Sequence, residues 1–387
     1  MDISTLSELV KGSVALRSRT ELKPAGGDGD KIFPPTYAGG EYATETRRIA
    51  GEAVDCVLLD SVQSQANRFE AALQDALDRG LLAIPCIRVT FPPELAREFG
   101  PITSLTVPHR CYDAILRDSL EGETPFPKGP IGSALIAASP VDATALYRHC
   151  PTVLVFGGWD STGARGGMGA KFTRAVSSEI VGIGAAAGVR TSSRIDPLAI
   201  RSQVGVLVEG NDRSAWQVAS ETDKGAKRPS EIVHGNIAPT IEAGAGGVTV
   251  DRIEQTWVLS LPALRRYRFP VDGACEDERD LAGRLVLVAL ALGARALARD
   301  DGLFLRSRCQ LAPVPGGSQL EGIAPDGSTQ ELEDPTAEHA VELLASAVDA
   351  AAEHGLEWEI RPVELTAQAN LVELVRRSLE LAPKSGE

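Results

Sequence analysis

VDCVLLDSVQSQANRFEAALQDAL, residues 54–77, hands a short run of β-forming apolar residues over to an amphipathic helix. Val54, Val57, Leu58 and Leu59 suit a buried strand, and Asp60 or Ser61 is an N-cap by residue type. Beyond the cap Val62, Ala66, Phe69, Leu73 and Leu77 recur at three-to-four spacing, so one face must point into a core. The opposite face carries Gln63, Ser64, Asn67 and Arg68, with no acid before Glu70. Amide, hydroxyl and guanidinium donors at a helix N-terminus suit an anionic backbone, because free N–H groups and the helix dipole point there. An ordinary solvated face accounts for the same residues, so from this stretch both readings stand.

At 387 residues the chain calls for two domains or one domain with large insertions, and 43% hydrophobic residues suffice for a core. No stretch reads as a signal peptide or a membrane span. The most apolar run, Leu285–Ala294, is about ten residues between Arg284 and Arg295, so a soluble cytoplasmic protein is expected. Six cysteines without a C-x-x-C pair read as reduced core thiols, and His149 beside Cys150 is poor metal-ligand spacing, so no metal or cofactor is expected. The formal charge of −14 is uneven. Residues 270–387 hold 10 Lys+Arg against 22 Asp+Glu, while the first 269 hold 29 against 31. Within 160–205 there are six basic residues against three acidic ones, which leaves room for a local basic track.

Residues 1–10 read as a short helix, followed by a segment with Arg17, Arg19 and Lys23. Residues 24–46 are too rich in Gly and Pro for regular structure and read as a long excursion. Lys31, Arg47 and Arg48 flank Phe33, Tyr37 and Tyr42 there. That pattern suits single-stranded nucleic acid, where bases stack on rings, and equally a surface loop pinned by its aromatics. Strands are expected at 84–90, 131–138, 152–156, 176–184, 253–261, 303–306 and 356–361, and helices at 281–297, 336–351 and 366–381, with weak ones at 111–120 and 142–149. The Gly-rich stretch 157–175 has six glycines in thirteen positions, with Trp159, Arg165, Lys171 and Arg174. Such a loop brings backbone N–H groups close to phosphate, but Ala170 and Phe172 exclude a Walker A loop. VGIGAAAG at 181–188 mimics a dinucleotide fingerprint with the wrong spacing and a poor helix after it. Residues 190–201 supply Arg190, Arg194 and Arg201 on a polar segment, and 211–250 reads as an exposed polar insertion. Split strands and helices with long insertions predict an α+β sheet with helices on one face.

The segments RSRTELKP, GDKIFPPTYAGGEYA, VDCVLLDSVQSQANRFE, FGGWDSTG, GGMGAKFTRAVSSEIVGIGA, RTSSRIDPLAI and RIEQTWVLSLPALRRYRFP resemble the backbone subunit of the type I-U (also called I-G) CRISPR interference complex, in the RAMP superfamily. The resemblance implies a single α+β domain over 1–387, a modified RRM-like (ferredoxin-like) palm with finger-like and thumb-like insertions. It implies copies stacked in a helical filament along a guide RNA that pairs with a target DNA strand, beside other subunits of the interference complex, with no membrane. The RNA-binding candidates are then Arg17, Arg19, Lys31, Arg47, Arg48, Gln63, Ser64, Asn67, Arg68, Trp159, Arg165, Lys171, Arg174, Arg194 and Arg201. Relatives that cut RNA use a loop aspartate, for which Asp28, Asp30 and Asp60 are available. The resembled family leaves cutting to another protein, so a non-catalytic subunit is expected, with a RAMP-fold metal-dependent ribonuclease as the alternative.

Overall fold

The computed structural model describes residues 1–160, 171–210, 214–220 and 223–381. Its main sheet holds β1 (Ala15–Pro24), β2 (Thr44–Ile49), β3 (Glu52–Asp60), β4 (Val176–Ile183), β5 (Arg252–Ser260), β6 (Leu303–Arg306), β7 (Cys309–Ile323) and β8 (Thr329–Leu332). The order is β6-β7-β1-β5-β4-β3-β2, with β8 on β7, and every pairing is antiparallel. The helical layer of this part of the molecule is built from α1 (Ile3–Gly12), α2 (Val62–Asp78), α3 (Asp277–Asp300) and α4 (Ala337–Glu353).

Two β-α-β units interleave. β1 and β4 run the same way on either side of β5 and are joined through α2, while β5 and β7 flank β1 and are joined through α3. The β2–β3 hairpin is inserted before α2 and widens the sheet beyond β4.

Alternation decides which side of the sheet is dry. In β1 Leu16, Ser18, Thr20 and Leu22 are buried and alternate with Arg17, Arg19, Glu21 and Lys23. In β5 Ile253, Trp257 and Leu259 are buried in the same register. The helices lie on that buried side, α2 against α3 and β4, and α3 against α4. α3 is apolar nearly all round, long enough by composition to cross a bilayer, yet 78% of its most apolar window is buried within the protein. It is therefore the core helix that Leu281–Leu297 predicts, four residues longer at its N-terminal end and three at its C-terminal end.

Residues 54–77 fold as the pattern predicts. The strand is β3, Ser61 rather than Asp60 is the N-cap, with its hydroxyl accepting from Ser64 N at 3.2 Å, and Ala66, Phe69 and Leu73 are buried. Elsewhere the structure departs from the expectations. Residues 130–137 and 152–156 are helices, not strands. The C-terminal strand is Val363–Ala367, not 356–361, and it pairs with Ile87–Thr90 in a second, five-stranded sheet. VGIGAAAG is the end of β4, a turn at Gly184 (φ +69°) and the strand Ala186–Arg194. With no helix after the glycines, the dinucleotide reading fails.

That last strand pairs with Ile237–Thr249 to form an antiparallel arm, beyond which Val206–Val208 pairs with Trp216–Val218. Residues 24–46 are not a free excursion. Ile32 is buried and exchanges backbone hydrogen bonds with Val248 at the arm's root, and Tyr42 Oη accepts from Gly247 N at 3.1 Å. On its other side Phe33 lies under the Arg308 guanidinium, 4.1 Å from the ring centre, and Arg306 donates to the Pro34 carbonyl at 2.8 Å.

Candidate nucleic-acid interface

The candidate residues fall on four parts of the fold. The first is the start of α2, where Gln63 and Asn67 are exposed and Ser64 half-buried. Arg68 does not join them as a free cation. Its Nε donates to Asp60 Oδ2 at 2.9 Å, and its Nη atoms donate to the carbonyls of Phe304 (3.2 Å) and Leu305 (2.8 Å). Asp60 is buried and takes a second bond from Gln65 Nε2 at 2.5 Å, while Gln65 Oε1 accepts from Ser178 and Gln255. Arg68 therefore neutralises a buried carboxylate and ties α2 to β6, which corrects its reading as a phosphate ligand. A one-dimensional helix wheel shows it opposite the apolar stripe, and only the curl of the sheet brings β6 beneath it.

The open face of the sheet is the second part. Arg17, Arg19 and Lys23 line it from β1, with Thr256 and Val258 of β5 and Ser177 and Glu179 of β4 in register. Arg17 is paired to Glu321 (Nη2–Oε1 2.5 Å), and Arg47 to Glu179 (Nη1–Oε1 2.7 Å) and Glu45 (Nε–Oε1 2.5 Å). Those carboxylates raise Arg47 further above an already high value, Glu179 first. Arg19 is exposed, and Arg48, on the other side of β2, donates to Gly51 O at 3.3 Å. This face presents fixed guanidiniums already half-neutralised, suited to hydrogen bonding along a sugar–phosphate chain more than to capturing it by net charge.

The Gly-rich stretch is the third. Gly158–Trp159 pairs with Lys171–Phe172, and Lys171 Nζ sits 4.8 Å above the half-exposed Trp159 ring. Cation and ring together make a stacking and phosphate platform. Arg165 lies outside the described residues. Arg174 is drawn inward, its Nε donating to Phe156 O at 3.2 Å, and burial and the neighbouring Arg110 push it below its ordinary value. It anchors the hairpin and does not face solvent as a free cation.

The fourth part is the arm and its root. Lys31 Nζ donates to Val189 O at 3.2 Å, Arg194 to the Val233 carbonyl, and Arg201 is exposed. Of the loop aromatics, Phe33 and Tyr42 pin residues 24–46 to the body, while Tyr37 is half exposed.

Two residues went unread in the sequence, Arg306 and Arg308. Both are exposed beside Phe33 and Pro34, and Arg308 holds a left-handed backbone (φ +61°). The pattern Arg306-Ser307-Arg308 is the available signal, but it is embedded in the acidic third of the chain. Among the described residues no three His, Cys, Asp or Glu converge as a metal site.

Residues 16–187 match the family model described as CRISPR-associated protein GSU0053. Over that stretch the chain is similar to this CRISPR-associated family. The family segment takes in β1 to β4, α2 and the Gly-rich stretch, and ends at the root of the arm. It therefore contains every candidate residue except Arg194 and Arg201. Among solved structures the chain is matched by the crystal structure of Thermofilum pendens Csc2, at 10% identity over 96% of this chain and 79% of that one. The TM-score of 0.25 is too low for that match to carry an argument. No curated protein matches its sequence significantly.

Proposed function

We propose that this protein is a non-catalytic guide-RNA-binding subunit that multimerises along the RNA to build the backbone of a DNA-targeting CRISPR interference complex in antiviral defence. The observation that carries the reading is the family match over residues 16–187, because that segment holds the arginine-bearing sheet face and the Trp159–Lys171 platform together. The interleaved β-α-β units support an RRM-like palm: counting β1, β4, β5 and β7 as strands 1 to 4, their spatial order is 4-1-3-2, that of a ferredoxin-like sheet. The arm then serves as the thumb-like or finger-like insertion. Of the three aspartates available to the ribonuclease alternative, Asp60 is buried and bonded to Arg68 and Gln65, while Asp28 and Asp30 are exposed.

Guides vary in sequence, so the protein should hold backbone and sugar rather than base edges. For about four phosphate contacts per subunit, each contributing roughly −0.7 to the log–log slope, raising salt from about 50 to 200 mM should weaken single-subunit binding on the order of 50-fold. Titration of scrambled RNAs of equal length tests this. A flat salt response, a strong preference among scrambles, or metal-dependent loss of the labelled strand would overturn the reading.

Self-association is supported by the arm. Ile195, Leu198, Val218, Val233 and Ile241 are large apolar side chains left well exposed on it, a concentration that marks a covered surface in the working assembly. Ile195→Asp with Ile241→Asp should leave the melting temperature within about a degree or two, since exposed substitutions cost under about 0.5 kcal/mol. Long RNA-dependent particles in light scattering should be lost. Unchanged particles would remove the arm from the contact.

A further inference from the structure

The start of the Gly-rich stretch is held from beneath by a buried ion pair. Arg110 donates twice to Glu70 of α2, Nε to Oε1 and Nη2 to Oε2, both at 2.6 Å, and its Nη1 donates to the Gly157 carbonyl at 2.9 Å. Both side chains are more than nine-tenths buried. The guanidinium also lies 5.7 Å from the Phe156 ring centre, and Arg174 holds the neighbouring Phe156 carbonyl.

The backbone around the pair is constrained as well. Arg110 holds a left-handed conformation (φ +53°), as does Gly157 (φ +85°). A Cβ on Gly157 would stand 3.1 Å from Arg174 N, and one on Gly158 would stand 3.0 Å from Val153 Cγ1 and 3.1 Å from the Tyr112 ring. The chain thus passes through a tight slot at Gly157 and Gly158, with the Gly157 carbonyl fixed to the Arg110 fork, and Trp159 follows.

We infer that Glu70 and Arg110 form a positioning clamp that sets the place of the paired segments Gly158–Trp159 and Lys171–Phe172 relative to α2. The part played by RNA rests on the function proposed above; the clamp itself does not. A buried Arg–Glu pair is a poor stabiliser, because desolvating both charges takes back most of their attraction, and apolar replacements of similar volume are often neutral. What an apolar pair lacks is the third edge of the fork, the bond to Gly157. Burial pushes the Glu70 carboxyl up to about 7 while Arg110 and Arg174 pull it down.

The test is the double variant Glu70→Leu with Arg110→Met, since either single change strands a buried charge and risks unfolding. Without RNA, amide exchange at Trp159 and Phe172 should rise at least tenfold while α3 and β5 stay protected. With RNA, affinity should fall about fivefold or more, with a shallower salt slope. Exchange that stays at the wild-type rate in the folded double variant would overturn the clamp, whatever RNA does. Faster exchange with unchanged RNA affinity would confirm the clamp and remove the hairpin from the RNA surface. Should the double variant not fold, the same exchange measurement is made on Arg110→Lys, which keeps the charge and loses the fork; wild-type exchange there overturns the clamp too.

Discussion

Phe69→Ala is expected to cost about 3–5 kcal/mol of unfolding free energy, the usual range for deleting a buried aromatic ring. Phe69 is buried on the inward face of α2, and its ring lies 6.1 Å from that of Phe156, stacked at 23°. The loss should be large because Phe156 belongs to the rigid segment carrying Gly157, whose carbonyl is already fixed by Arg110, so the void cannot easily collapse. Denaturant unfolding gives the number. A loss under about 1 kcal/mol would mean that α2 settles into the space and that its contact with the Gly-rich root is soft.

Arg68→Ala should also melt early, by about 2–3 kcal/mol. A fully buried pair broken on one side costs more, but Arg68 is one-third exposed and Asp60 keeps its bond from Gln65. The double variant Arg68→Ala with Asp60→Asn removes the orphaned charge and should recover much of the loss, a coupling that a thermodynamic cycle isolates. Once folded, Arg68→Ala should bind RNA nearly as well as the parent. If it instead melts like the parent and binds more than tenfold more weakly, the guanidinium is a phosphate ligand and the Asp60 bond is incidental.

Where pattern and environment agree, the chain is legible from its residues. IEQTWVLSL alternates and is β5, and Leu281–Leu297 is apolar on all sides and is the core of α3. TVLVF at 152–156 misleads because five consecutive buried residues have no period to distinguish strand from helix. Its helical signals lie outside the run, in Pro151 before it and the left-handed Gly157 after it. Residues 130–137 bury only Gly132 and Leu135, and Pro130 at the first helical position is the cue. The true C-terminal strand, VELTA, alternates and pairs with Ile87–Thr90, whereas LEWEIR at 356–361 alternates equally well and forms no strand. At the site, residue type locates the sheet arginines and the Trp159–Lys171 pair. What residue type cannot supply is pairing. Glu321, Glu179 and Asp60 are remote from Arg17, Arg47 and Arg68 in sequence or sit on the other side of a turn, and each gives a candidate phosphate ligand an acidic partner within the fold.

The hairpin that widens the sheet leaves β2 as its outermost strand on that side, reading Thr-Glu-Thr-Arg-Arg-Ile. An outer strand is an invitation to add another, through its unpaired backbone donors and acceptors, and charged side chains are the usual deterrent. Glu45, Arg47 and Arg48 supply that deterrent here, so copies of this chain should not polymerise by sheet extension in the absence of a template. On the function proposed above, assembly length would then be dictated by the strand being covered, a ruler-like property that runaway β-pairing would destroy.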